Sequence, residues 1–144
     1  MVKIKFKIYD KNRKRLLSGT GYSITGDGEV QTFNSHGLPE GTIKNRHLKP
    51  VLYTGKKDCT GRNIYDGFII ERKYNELINK DMIGVVKFKA GQWVIEDKIY
   101  ETSTPLFDEK AIDRIIGDIY EGVEWCKKHN ENINNTNNNS NHNK

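Results

Sequence analysis

Cysteine, proline and long apolar runs are all scarce in this sequence. It holds two cysteines, Cys59 and Cys126, and they do not flank each other at metal-ligand spacing. Two distant thiols build no disulfide framework and read as free cysteines of a reducing compartment. No apolar stretch approaches the roughly 20 residues a membrane-spanning helix needs, and the opening Met1-Val2-Lys3-Ile4-Lys5-Phe6 lacks the hydrophobic block of an export signal. The expectation is a cytoplasmic protein with no membrane partner. Only 3 prolines interrupt the chain, against 13 glycines. A charge of one sign is missing too: 24 Lys and Arg face 19 Asp and Glu, for a net +5. That excess is compatible with phosphate binding without demanding it.

What is present is alternation. Val2, Ile4, Phe6 and Ile8 alternate with Lys3, Lys5 and Lys7, the period of a strand with one face in a core and one in water. Turn chemistry follows at Asp10-Lys11-Asn12-Arg13, and residues 15–17 start a return strand. Residues 22–24 and 30–33 form a hairpin around Gly26-Asp27-Gly28, and residues 35–50 read as an irregular connection. Val51-Leu52-Tyr53-Thr54 is a strand, Asp58-Cys59-Thr60-Gly61 a tight turn with Gly61 suited to positive φ, and Phe68-Ile69-Ile70 a buried strand. Residues 71–81 read as a helical turn or loop. Residues 85–88 and 92–95 flank Ala90-Gly91 as a hairpin. Thr104 and Pro105 supply the N-cap and first position of a short helix reaching Ile112. Residues 114–120 form a last strand, and residues 124–128 a helical turn.

The reading is therefore mainly β: a small barrel or sandwich of short antiparallel strands with one or two short helical segments. One domain spans residues 1–129. Residues 130–144, with nine asparagines, form a polar tail that buries nothing and is expected to be disordered.

The candidate site is the basic first hairpin. Lys3, Lys5 and Lys7 share one face at about 6.8 Å per two residues, close to phosphate spacing, and Tyr9 continues it. Lys11, Arg13, Lys14 and Arg15 crowd the turn. Lysines beside an aromatic ring are what a single-strand nucleic-acid groove uses. Charged edge strands also serve simply to block aggregation.

No catalytic group, cofactor or metal ligand emerges. The run Gly19-Thr20-Gly21 opens no helix, so it is not a phosphate loop. His36, His47, His129 and His142 lack ligand spacing; only convergence of His36, His47 and the Asp58 turn in one pocket would make an enzyme. Asp108, Glu109, Asp113, Asp118, Glu121 and Glu124 read as solvated charges. The uneven spread of charge and the exposed strand edges point to a protein partner as the alternative to nucleic acid.

The order of three segments is similar to that of a known family. The run Leu52-Tyr53-Thr54-Gly55, the Asp58 turn with Gly61, and Ile64-Tyr65-Asp66-Gly67 resemble the YopX family signature. So do Ile4-Lys5-Phe6 with Asp10-Lys11 at the start, and Ile115-Ile116-Gly117-Asp118-Ile119-Tyr120-Glu121 at the close. Phe68 stands where the family commonly has Asp, and Gly122-Val123 where it has Asn-Pro. If that Asp has a chemical role, this chain lacks it. The resemblance implies a β-rich protein of phage or prophage origin that self-associates into a homo-oligomer; the protein partner read from charge and strand edges would be a host or phage protein. It brings no catalytic residues.

Overall fold

The computed structural model describes residues 4–74, 81–97, 99 and 101–121. Eleven strands and one 3-10 turn are found there: β1 (Phe6–Asp10), β2 (Arg15–Ser18), β3 (Ser23–Ile24), β4 (Val30–Gln31), the 3-10 turn (Thr42–Asn45), β5 (Leu48–Lys57), β6 (Asn63–Tyr65), β7 (Phe68–Tyr74), β8 (Met82–Lys89), β9 (Gln92–Asp97), β10 (Thr102–Pro105) and β11 (Ala111–Asp118). The fold is mainly β, with curled antiparallel sheets that make a half-barrel. One sheet has the order β2-β1-β5-β6, the second β10-β9-β8-β7-β11, and β3-β4 is a separate ribbon.

The hairpins follow local chemistry. Ala90 and Gly91 both hold positive φ, as a two-residue turn between β8 and β9 requires. Between the sheets lies one apolar cluster: Val51 and Ile64 from the first, Phe68, Ile70, Val86 and Ile95 from the second, closed by Leu106 and Tyr120. Tyr9, Leu16, Tyr53 and Trp93 pack against it. Burial of such side chains contributes roughly 1.5–3 kcal/mol each.

The first strand departs from its expected faces. Alternate residues share a side, so Lys5, Lys7 and Tyr9 lie together and Ile8 lies opposite. Tyr9 bears on the main cluster, so the lysine side is the one turned toward it. Ile8 and Val30 are buried outside that cluster, and Ile4 is 87% exposed rather than inward. Both sides of this sheet are thus covered. Long lysine stems permit it, because they run along apolar surface and deliver the ammonium to water. Val2 and Lys3 lie outside the described residues, as do residues 122–144 with the expected terminal helical turn and tail.

Three other expectations are corrected. β5 begins at Leu48, inside the stretch read as irregular. Its Pro50 is tolerated because the Tyr53 N–H points to Lys5 O in β1, which by alternation turns the Pro50 nitrogen away from β1. Residues 71–74 continue β7; residues 75–80 are not described. The helix expected from Thr104 is strand β10, then a turn. Thr102, Ser103 and Thr104 are extended and paired with β9, and the Leu106 N–H donates to Trp93 O, so the Pro105 nitrogen faces away without loss. Asp108 then closes a turn by accepting from the Lys110 N–H at 3.0 Å.

One glycine joins the two halves of the chain. Gly67 has φ +83, and a Cβ there would fall 2.6 Å from the Tyr120 hydroxyl. Tyr120 donates to Asp66 O at 2.9 Å and sets its ring 4.9 Å from that of Tyr9. Gly61 has a similar φ of +87 but open space around it. Urea denaturation is expected to separate the two. Gly61→Ala should cost about 1 kcal/mol for strained backbone alone, and Gly67→Ala roughly 2–4 kcal/mol, because the clash adds to the strain. Equal losses would show that the Tyr120 contact is unimportant.

Candidate functional site

The most concentrated chemistry is buried. Arg72 of β7 is 0% exposed. Its Nε donates to Asp113 Oδ1 at 2.7 Å and its Nη2 to Asp113 Oδ2 at 2.8 Å, a bidentate pair. The same guanidinium donates to Pro105 O at 2.7 Å and Leu106 O at 2.5 Å. Lys56 of β5 donates to Asp113 Oδ2 at 2.7 Å and to Leu106 O at 2.9 Å. Burial alone would raise the Asp113 carboxyl, but its bonds to Arg72 and Lys56 hold it below the usual range. Asp113 is therefore no solvated charge. Shared by two cations, this carboxylate ties β5, β7 and β11 together.

The Asp58 turn is a second such device. Asp58 Oδ1 accepts from the Thr60 hydroxyl at 2.7 Å, the Arg62 N–H at 2.9 Å and the Thr60 N–H at 3.0 Å. Oδ2 accepts from the Ile115 N–H at 3.1 Å. Burial pushes the carboxyl up, yet the Thr60 hydroxyl and these backbone donors outweigh it and bring the pKa to about 2. With the Cys59 N–H on Asp113 O at 2.8 Å and Arg62 Nη2 on Ile115 O at 2.9 Å, the turn caps the outer edge of β11. Glu121 caps β2 likewise, accepting from the Leu16 N–H at 3.0 Å.

The exposed candidates are the basic residues of the first hairpin. Lys5 Nζ sits 5.6 Å from the Tyr53 ring centroid and Lys7 Nζ 5.3 Å from that of Tyr65, both cation–π contacts. The Tyr9 ring is committed to Tyr120 and half-buried, so it is no open base-stacking platform. Lys11, Arg13, Lys14 and Arg15 are all exposed in the turn and the start of β2. Arg13 lies 3.8 Å from Asp10, whose Oδ1 also accepts from the Asn12 and Arg13 N–H groups.

Sequence reading missed the cations that join them. The Lys11 N–H donates to His47 O at 2.9 Å, and Tyr9 pairs with Lys49 across β1 and β5. Arg46 and Lys49, both exposed, thereby come beside the turn. Only long-range strand pairing brings them there, and no local pattern announces it.

Other candidates stay apart. His36 is exposed in a loop held by Asn34, whose Oδ1 accepts from the His36 and Leu38 N–H groups. Asp58 is committed to its own turn. Among the described residues no three His, Cys, Asp or Glu side chains are placed to share a metal ion, and no helix is long and apolar enough to cross a membrane.

The architecture defines a small, mainly β protein with buried ion pairs and a group of exposed basic residues at one end of the first sheet. The chain belongs to the YopX family: the model of the YopX protein family matches residues 5–127. Among solved structures it is similar to protein yopX from Bacillus subtilis, with a TM-score of 0.56 at 19% identity over 84% of this chain and 95% of that one. Protein EF1440 from Enterococcus faecalis is similar too, with a TM-score of 0.55 at 18% identity, covering 84% and 96%. At these identities the likeness establishes the shared fold. A comparison with curated proteins found no match.

Two outcomes are expected from the buried charges. Asp113→Asn leaves the Arg72 guanidinium uncompensated and should cost about 3–5 kcal/mol in denaturant titration, whereas replacing Arg72 and Asp113 together by Met and Leu should recover much of that loss. A double variant no better than the single one would contradict this role. The second outcome concerns acid. The Asp58 carboxyl lies at about 2 in the folded protein against an ordinary value of 3.8. Its carboxylate therefore contributes stability that is full above pH 3.8 and lost as pH falls toward 2, about 2 kcal/mol in all. Asp113 adds to the same limb, while Asp66, raised by burial against the pull of Lys49 and Lys87, works in the opposite direction. Asp58→Asn should flatten that part of a stability–pH curve, and an unchanged curve would refute the assignment.

Proposed function

We propose that this YopX-family chain is a non-enzymatic binding module that holds nucleic acid by its phosphate backbone. The surface is the basic end of the first sheet: Lys11, Arg13, Lys14 and Arg15 with Arg46 and Lys49, extended by Lys5 and Lys7. One observation carries the reading. The Lys11–His47 backbone bond sets two exposed basic segments side by side, with Asp10, itself buried, as the carboxylate bonded within the turn. Because the Tyr9 ring is packed on Tyr120, the contact relies on charge rather than base stacking, so affinity is salt-dependent and indifferent to sequence. The family resemblance suggests the setting, the cytoplasm of a bacterium carrying a phage or prophage.

Retention on single-stranded and duplex DNA should fall steeply with salt. The variant Lys11→Glu/Arg46→Glu/Lys49→Glu changes only exposed side chains, should keep its thermal midpoint, and should lower the salt slope by about 3. Wild-type protein that fails to bind either form at low salt would end the proposal.

A second reading, a module for a protein partner, is favoured by the exposed Phe88 at the end of β8.

A further inference from the structure

Away from the basic turn, the first sheet carries its cations in register. Across β1 and β5, Lys7 stands opposite Val51 and Tyr9 opposite Lys49. Before them the Tyr53 N–H donates to Lys5 O at 3.0 Å, and after them the Lys11 N–H donates to His47 O at 2.9 Å. Directly paired residues share a side of a sheet, and so do alternate ones. Lys5, Lys7 and Lys49 therefore share one side, on successive steps of about 6.8 Å along the strands. The step from Lys7 to Lys49 also crosses one strand spacing, about 4.8 Å. Lys5 and Lys49 are exposed and Lys7 is half-buried. Asp10, the one carboxylate in β1 or β5, is buried and alternates to the other side. Of the carboxylates nearby, Glu121 is bonded to the Leu16 N–H of β2, and Asp66, half-buried in the turn after β6, is drawn on by Lys49 and Lys87.

Two of these cations are held in place. Lys5 Nζ stands 5.6 Å from the Tyr53 ring centroid and Lys7 Nζ 5.3 Å from that of Tyr65. The two rings are paired across β5 and β6 and pack edge to face, 5.6 Å apart. Tyr65 is buried, its ring 5.4 Å from that of Phe68. Rings fixed by the core thus fix the ammonium groups above them, and less side-chain freedom is lost when an anion arrives. We propose, on the phosphate-backbone reading above, that Lys5, Lys7 and Lys49 track an extended single strand of DNA or RNA, one phosphate to each step, with Tyr53 and Tyr65 as positioning residues. The step length is close to the phosphate spacing of an extended strand, and the row leads to the basic turn at Lys11. A duplex winds its phosphates around an axis and cannot follow a straight row. Charge alone would favour the duplex, which carries a charge every ~1.7 Å of its axis. A preference for single strands must therefore come from the fit to the row.

The test titrates the full chain into labelled oligo(dT), oligo(U) and a mixed-sequence duplex, each about 20 nucleotides per strand. At least one single strand should bind about tenfold more tightly than the duplex, and the two together separate DNA from RNA. Lys5→Gln/Lys7→Gln should bring the ratio near one and lower the single-strand salt slope by about 1.4. Should that variant fail to fold, Lys5→Gln alone, at an exposed position, should lower the slope by about 0.7. Tyr53→Leu should weaken single-strand binding about threefold and add nothing in the Lys5→Gln background, while Tyr53→Phe should bind as wild type does. Duplex bound as tightly as both single strands, or a ratio that survives the loss of Lys5 and Lys7, would overturn the row and leave the phosphate-backbone reading standing. A Tyr53→Leu effect that persists in full without Lys5 would overturn the positioning role. Binding to none of the three probes would end both readings.

Discussion

Everything in the second sheet turns on a single guanidinium. Arg72 enters the interior with its charge intact, and burying an isolated cation would cost several kcal/mol. The cost is offset because each neighbour supplies an acceptor: Asp113 from β11, and the Pro105 and Leu106 carbonyls at the end of β10. Those are the two edge strands of the five-stranded sheet. The sheet curls until its edges meet across this side chain. Lys56 then brings β5 of the first sheet onto the same carboxylate. An apolar residue of equal size would fill the space but would not dictate which strands come together. The ionic cluster thus specifies the curl and the docking angle of the sheets.

Much of the fold was legible because strands declare themselves locally. Alternation marked β1; the Ala90-Gly91 turn, with β8 and β9 on either side of it, and the Asp58–Gly61 turn were visible from residue chemistry. The faces were harder. Lys5 and Lys7 read as solvated, yet they share the side of Tyr9 that bears on the core, because a lysine stem is apolar enough to lie over Tyr53 and Tyr65. Threonine and proline at 104–105 read equally well as a helix start or an edge strand, and only pairing with β9 decides between them. Least legible were contacts between distant parts of the chain. Arg72 and Asp113 are 41 residues apart and Asp58 and Ile115 are 57 apart, and no periodicity links such positions. Arg46 and Lys49 were missed at the basic surface for the same reason.

The family signature acquires a physical meaning from these contacts. Its central and closing segments touch. The Ile119 N–H donates to Gly67 O at 3.0 Å, the Tyr120 hydroxyl to Asp66 O, and the Ile115 N–H to Asp58. Residues that stand out in the sequence are therefore those that hold the end of the chain against its middle. They describe how the half-barrel is tied together, and surface properties such as the basic turn are free to differ around it.

The carboxylate caps on β2 and β11 have a further consequence. A bare strand edge invites another chain to extend the sheet, but Glu121 already occupies the Leu16 N–H, and the Asp58 turn already occupies Asp113 O and both backbone groups of Ile115. Joining copies along either edge would first require evicting an anion from its donors. At β2 and β11 each sheet therefore ends on contacts that its own chain supplies.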